Sequence, residues 1–505
     1  MNPGGKGDAY KAGVSEVIGT LILIGVVMIG IVLVGILLLS NPAPSKVPVF
    51  DSVISNRSKT IYIYHKGGDS LPLGTFKILV DGNDTTSLFT IMSPGTDPWG
   101  VGETLTGTMP YTPRHVVIIF NQSGGGATIL AAEDLVGSVT LPQNPNAWYF
   151  NPVTGNCNWK YRKMITIDHT KVSADQSSFP VLVSLTDTDL SAKAQSNGND
   201  ILFTSSDGTF KLNHEIENYT SSTGSLVAWV GVPTLSSATD TVLYLYYGNS
   251  TATSQQFPTG VWDANFMSVW HLNATSGGTD AIRDSTSTGN HGTNQTIPTF
   301  GAAGKIGNAI TLDGVNNYIS TKIQLSPAPP QVFTESLWFK TTNPVSRKMF
   351  GSETRQTGNT LDSERWDRQL YIGTGGYVIG GVYNESSDTV YWVKTGSTEN
   401  DGAWHYAALT FDSSTIRLYV DGSYIGQNTS GLAEVGPEYW RMGGTKLAGG
   451  SWPYVTTSGN FTGSLDEVQL SNSVRSAQWI ATEYANQNSP STFYSVGNEE
   501  QWWKC

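Results

Sequence analysis

Residues 17–39 run for 23 positions without a charge, and this run constrains the chain more than any other feature. As a helix it would extend about 35 Å at 1.5 Å per residue, enough to cross the roughly 30 Å of a bilayer's hydrocarbon with some tilt. A removable secretory signal has a shorter apolar core, about 7 to 15 residues, followed by a small-x-small cleavage site. Here the run leads instead into "LLLSNPAPSKVPVF", so a retained membrane helix is the better reading. Lys6 and Lys11 precede it, and the positive-inside tendency then leaves a short cytoplasmic N-terminus and sends everything after Ser40 outward. Gly19, Gly25, Gly30 and Gly35 permit close helix contact without forming a GxxxG stripe.

The chain has 505 residues, more than one core usually organises, so the exported part should be modular. Only 14% of residues are charged, and the abundance of glycine, small polar and aromatic residues predicts mainly β structure. The formal charge of −12, with no basic cluster beyond residue 47, argues against a nucleic-acid partner. Two cysteines exclude a disulfide scaffold and a thiolate zinc cluster; Cys157 and Cys505 flank one large block, and both a bridge and two free thiols stay open. Glycosylation sequons fall at Asn56, Asn83, Asn121, Asn218, Asn249, Asn273, Asn294, Asn384, Asn428 and Asn460, a weak pointer to the cell surface.

Patterning divides the chain. Residues 41–47 form a proline-rich spacer that cannot continue a helix. Residues 48–141 alternate apolar and polar positions around Gly-Gly and Asp-Gly turns, as a hairpin-rich β domain does. A turn-rich joint, 142–158, leads to 159–252, where Thr241 to Tyr247 reads as a strand covered on both faces within a small sandwich. In 257–498, Asp313-Gly314 and Asp421-Gly422 signal hairpins, Trp479, Ile480, Thr482 and Tyr484 suit a short amphipathic helix, and "PSTFYSVGNEEQ" reads as a closing strand before the tail, 499–505.

Several of these phrases resemble known families. "KAGVSEVIGTLILIG" and, separately, "IYHKGGDSLPL" resemble the N-terminus and the globular part of archaeal type IV pilins. That resemblance implies a leader over 1–13 cut within Lys11, Ala12, Gly13 and Val14, a helix over 14–40 that packs with other subunits, and Glu16 paired with a neighbour's freed amino group. A solvated Glu16 in the headgroup layer is the alternative. "WKYRKMITID", "FPVLVSL" and "TVLYLYYGN" resemble an extracellular domain of uncharacterised function. "MSVWHLN", "DSTSTGNHGT", "GAWHYAALTF" and "GSLDEV" resemble the laminin-G-like, concanavalin A-like jelly roll.

The jelly-roll resemblance implies a structural Ca2+ whose candidate ligands are Asp284 and Asp466, against a turn cap and an ion pair as alternatives. For sugar recognition, aromatic faces and planar polar groups are the required chemistry, and Arg365, Trp366, Tyr439, Trp440 and Arg441 are the candidates, with core packing as their alternative. Glu215 and Glu217 share a strand face at the separation of an inverting glycosidase pair, but a solvated face explains them as well. Asp466 and Glu467 fall on opposite faces of a strand and cannot share a substrate. No tight acidic strand motif is present, so binding is expected rather than catalysis. His65 and Asp69 read as polar turn residues. The whole is expected to be a pilin-like surface protein, anchored in a membrane or filament, whose partners are other pilin subunits and surface glycans or proteins. A membrane-tethered glycoside hydrolase and a non-polymerising envelope protein are the alternatives.

Overall fold

Alternation of apolar and polar residues is the strongest instruction in residues 48–501, and it produces antiparallel sheets almost throughout. The computed structural model describes residues 48–501 except 58, 92–97, 102, 111–112, 114, 122–126, 136–158, 207–210, 326–328, 345–346, 359–365, 445–451 and 456–459. The leader, the apolar run with Glu16, and both cysteines lie outside the described residues. Among the described residues no helix is long and apolar enough to cross a membrane. The chain divides into two compact units, residues 1–143 and 144–505.

In the first unit, strands Phe50–Arg57, Thr60–Gly68, Thr104–Thr108 and Phe89–Ile91 form one four-stranded sheet, and Asn83–Asp84, Phe76–Val80, His115–Asn121 and Ala127–Asp134 form another. Ile61 and Ile63 from the first sheet and Ile78, Val80, Val116 and Ile118 from the second enter one core. Asp81 and Gly82 both take positive φ, 51° and 81°, and so make the two-residue turn expected of Asp-Gly between paired strands. His65 is not the exposed turn residue the sequence implied. It follows Ile61 and Ile63 on the inward face, is buried between Phe50 and Trp99, and holds the Asp69 carbonyl through Nε2 at 2.9 Å.

The second unit starts with a small sandwich. Its three-stranded sheet runs Gln176–Thr186, Ser225–Leu235, His214–Thr220, and its five-stranded sheet runs Lys211–Leu212, Leu202–Thr204, Thr241–Tyr247, Tyr161–Ile167, Tyr494–Gln501. Thr241–Tyr247 is covered on both sides: Leu243, Leu245 and Tyr247 join the main core, while Tyr244 and Tyr246 pack with Trp159. The closing strand Tyr494–Gln501 pairs with Tyr161–Ile167, not with the jelly roll that precedes it. This gives the free edge of Tyr161–Ile167 a partner, and Arg162 binds Glu500 across the new pair at 2.6 Å.

The jelly roll stacks a seven-stranded sheet on an eight-stranded one around a core that includes Trp270, Phe339, Phe350, Leu409 and Trp440. Asp421 and Gly422, φ 49° and 72°, make the expected tight hairpin. Asp313-Gly314 does not, because the strands on either side, Asn308–Asp313 and Tyr318–Leu325, belong to different sheets. The helix Ala477–Asn488, capped by Ser476 Oγ on the Trp479 amide, joins the two modules. Its Asn486 binds both the amide and the carbonyl of Leu182 in the small sandwich, while Gln487 accepts the Trp338 indole N–H of the jelly roll.

Candidate functional site

The sugar-binding candidates are sorted by the register of the seven-stranded sheet. Tyr439 pairs with Glu353, and Glu353 with Trp366, in one cross-strand row over Glu438–Met442, Arg347–Glu353 and Trp366–Ile372. Trp440, between Tyr439 and Arg441, faces the opposite way into the core, 0% exposed, with its ring 4.9 Å from that of Phe350. Arg441 is buried too. Its guanidinium lies 3.9 Å from the Tyr318 ring, 3.2 Å from Glu353, and donates to the carbonyls of Arg355 and Gly358. Trp440 and Arg441 are therefore packing residues, because a strand sandwiched between a core and a covering loop buries both of its faces. Tyr439 stays partly exposed, and Arg365 and the Trp366 side chain lie outside the described residues.

An aromatic platform that the sequence reading missed stands at the other end of the same sheet. Hairpin Val378–Asn384 and Thr389–Lys394 sets Trp392 opposite Gly381 and Lys394 opposite Ile379, all on one face. Tyr377, two residues before Ile379, continues that row, and Tyr454 comes in from a separate segment. Lys394 Nζ sits 4.1 Å from the centre of the Tyr377 ring and 5.3 Å from that of Tyr454, and Trp392 meets Tyr454 edge-on at 5.7 Å. On the same face Tyr371, Ile379 and Trp452 are buried beside these rings, with the Tyr371 hydroxyl donating to the Pro453 carbonyl at 2.8 Å. Gly381 allows the close approach, since a Cβ there would come 3.2 Å from the Trp452 ring. Tyr454 is 42% exposed, and Tyr377, Trp392 and Lys394 are half-buried. Partly exposed rings held rigid by buried neighbours, with an ammonium among them, can stack on a sugar face and bind its hydroxyls. The period-2 spacing of Tyr377, Ile379, Gly381 and of Trp392, Lys394 was the available signal; the arrival of Tyr454 had none.

The two aspartates implied as calcium ligands each organise a loop. Asp284 accepts from the amides of Val269, Thr286 and Asn290 and from the hydroxyls of Thr286 and Thr288. Asp466 accepts from the amides of Lys305, Ile306 and Glu467. Calcium at Asp284 would have to displace its donors, so that carboxylate does not fit a calcium site and acts as the turn cap. Glu215 and Glu217 do share a face, but not a solvated one: the Glu217 side chain is 0% exposed and that of Glu215 13%, both turned onto the jelly roll. The strict strand alternation assumed for Asp466 and Glu467 is broken by a positive φ of 47° at Glu467, and both side chains are buried.

Three of the sequons are closed by the fold. Asn249, Asn384 and Asn460 are buried, and the Asn384 and Asn460 amides donate to the carbonyls of Ser430 and Val315. Asn83 and Asn218 are exposed, and Asn273, Asn294 and Asn428 are half-buried. The side chains of Asn56 and Asn121 lie outside the described residues.

Residues 313–481 match the concanavalin A-like lectin/glucanases superfamily, and residues 197–268 match a domain of unknown function, DUF2341. No curated protein matches the chain. Among solved structures, the chain is similar to domain 4 of AbnA, a GH43 extracellular arabinanase from Geobacillus stearothermophilus, in complex with arabinotriose. The identity is 19%, with 44% of this chain and 100% of that one covered, at a TM-score of 0.33. It is also similar to the binding domain of Paraclostridial Mosquitocidal Protein 1 (13% identity, 44% and 52% covered, TM-score 0.32) and to the botulinum neurotoxin type G receptor binding domain (13%, 44% and 52%, 0.31). The chain spans about half the length of these two toxin chains. Residues 313–481 are a domain of the concanavalin A-like lectin/glucanase type.

Proposed function

We propose that this is a non-catalytic surface recognition protein whose jelly roll binds carbohydrate through Tyr377, Trp392, Tyr454 and Lys394. The observation that carries the reading is the rigid, solvent-facing aromatic platform, the one place described above where several rings and a cation meet solvent together. Burial of Glu215 and Glu217, whose side chains are 13% and 0% exposed, argues against their use as a hydrolytic pair, since a polysaccharide has little access to either carboxylate. The superfamily match is compatible with binding and with hydrolysis alike, so the weight rests on the platform.

The test is a glycan array probed with the full chain in detergent, followed by titration of the strongest ligand against Trp392→Ala and Tyr454→Ala. Stacking worth about 0.5–1.5 kcal/mol per ring makes each substitution weaken binding by up to roughly tenfold, with thermal unfolding little changed. A wild type that binds no glycan, or variants that bind as tightly as wild type, would sink the proposal.

In the same reading residues 14–40 hold the protein in the membrane or in a filament of like subunits. Filament assembly requires cleavage within residues 11–14, which mass spectrometry of the native N-terminus detects; an intact Met1, or cleavage after Ser40, contradicts that processing and leaves the non-polymerising envelope protein.

A further inference from the structure

Strand His214–Thr220 delivers Glu215 and Glu217 to the seam between the small sandwich and the jelly roll, where they meet His271, Asp466 and Glu467. His271 stands at the centre. Its Nδ1 lies 2.8 and 3.0 Å from the two Glu467 oxygens and 3.7 Å from Glu217 Oε2, while its Nε2 lies 3.4 Å from Glu215 Oε2. Trp229 and Trp262 wall the imidazole at 5.5 and 5.7 Å. Their indole N–H groups donate to Glu217 and Glu215 at 3.0 and 3.1 Å, and Ser285 Oγ donates to Glu215 at 2.6 Å.

Against four carboxyls, then, the seam sets one imidazole. A buried charge is tolerated only when paired, and one imidazolium cannot pair with four carboxylates. One polar atom is also left over: Glu217 Oε1 is buried without a hydrogen-bond partner. The cluster is short of positive charge, and protons or a cation can supply it.

We infer that Glu217, Glu467 and Nδ1 of His271 bind a first-row divalent cation of the Zn2+ type, which ties the small sandwich to the jelly roll. One donor atom from each residue lies within 4.8 Å of the others, and ligands at about 2.0–2.2 Å from zinc sit closer than that, so the site closes with small side-chain movements. A nitrogen with two carboxylates suits zinc better than calcium, which takes six to eight oxygens. With the metal on Nδ1, the Nε2–H points to Glu215, itself held by Trp262 and Ser285, the usual outer support of a metal-bound imidazole. Asp466 remains on its backbone amides and is not a ligand. A surface groove of about 470 Å³, lined by Glu217, Asn273, Arg283 and Asn308 among others, borders the cluster.

The test takes the full chain in detergent, strips it with a chelator and titrates it with Zn2+ by calorimetry, with Mn2+ and Ca2+ in parallel. One Zn2+ per chain should bind and raise the unfolding temperature, and Co2+ in its place should give visible absorption bands. Glu217→Gln and Glu467→Gln should each weaken binding by at least about tenfold while circular dichroism stays native, and Glu399→Gln, in a separate acidic group, should not. A folded wild type that binds no Zn2+, or Zn2+ binding unchanged in the Glu217→Gln/Glu467→Gln double variant, overturns the site. Neither outcome depends on what the aromatic platform binds.

Discussion

Trp440→Ala is expected to destabilise the jelly roll by about 3–5 kcal/mol, the range for truncating a fully buried tryptophan. The ring is packed between Phe350 and Phe333, at 4.9 and 6.1 Å, and nothing nearby can fill the space it would leave without moving a strand. Thermal unfolding of the variant should fall by roughly 6–20 °C, given about 2–4 °C per kcal/mol for a domain of this size. Tyr439→Ala, one position away and partly exposed, should cost much less. If the Trp440 variant melted with the wild type and instead lost glycan binding, the division of this strand into core and surface would be wrong.

A loss of similar size is expected from Arg368→Met. Arg368 is completely buried, 2.7 Å from Asp367, and donates to the carbonyls of Glu434, Pro329 and Pro330. Removing it strands Asp367 beside Glu438 and Glu335, also buried, for a cost of about 3–5 kcal/mol in urea unfolding. The cost should depend on pH in a definite direction. Burial and the charge of Asp367 push Glu438 up to about 8, and burial raises Asp367 and Glu335 as well. A carboxyl that holds its proton more tightly when folded imposes no penalty at low pH and a growing one as pH climbs from its unfolded pKa toward its folded one. Losing the arginine raises these groups further. The gap between variant and wild type should therefore narrow as pH falls through the raised folded-state pKa values, that of Glu438 being about 8, and a gap that widened on acidification would contradict the pairing.

The β modules were legible because one face of most strands is apolar, and period-2 alternation survives in the sequence wherever one face stays wet. Thr60–Gly68 is such a strand, and the Asp81-Gly82 turn between Phe76–Val80 and Asn83–Asp84 was equally plain. Legibility failed where both faces are covered. In Glu438–Met442 the alternation separates Trp440 from Tyr439 and Arg441, but no pattern says which side is solvent, and four of the five residues are buried. Asp313-Gly314 has the composition of a hairpin and makes a corner between sheets, because turn chemistry encodes the local bend and not the destination of the next strand. Glu215 and Glu217 looked solvated because their partner, His271, lies more than fifty residues away, and Glu467 a further 196 beyond that. Nothing in a local window marks two modules as sharing a buried seam. The positive φ at Glu467 is likewise invisible in "SLDEV".

The last strand, Tyr494–Gln501, has a consequence for how the protein is made. Its contacts with the small sandwich join residues more than 300 positions apart: Ser184 with Tyr494, Arg162 with Glu500. The entire jelly roll is thus an insertion between the penultimate and final strands of another module. A chain emerging N-terminus first presents Tyr161–Ile167 with one edge open, and that edge stays open until Tyr494–Gln501 arrives. Closing so long a loop is slow, and an open edge is a template for unwanted pairing. The jelly roll can collapse in the interval, and once it has, it draws the two ends of the small sandwich together and shortens the search. Folding order would then run against chain order, the distal module maturing first and the nearer one sealed last.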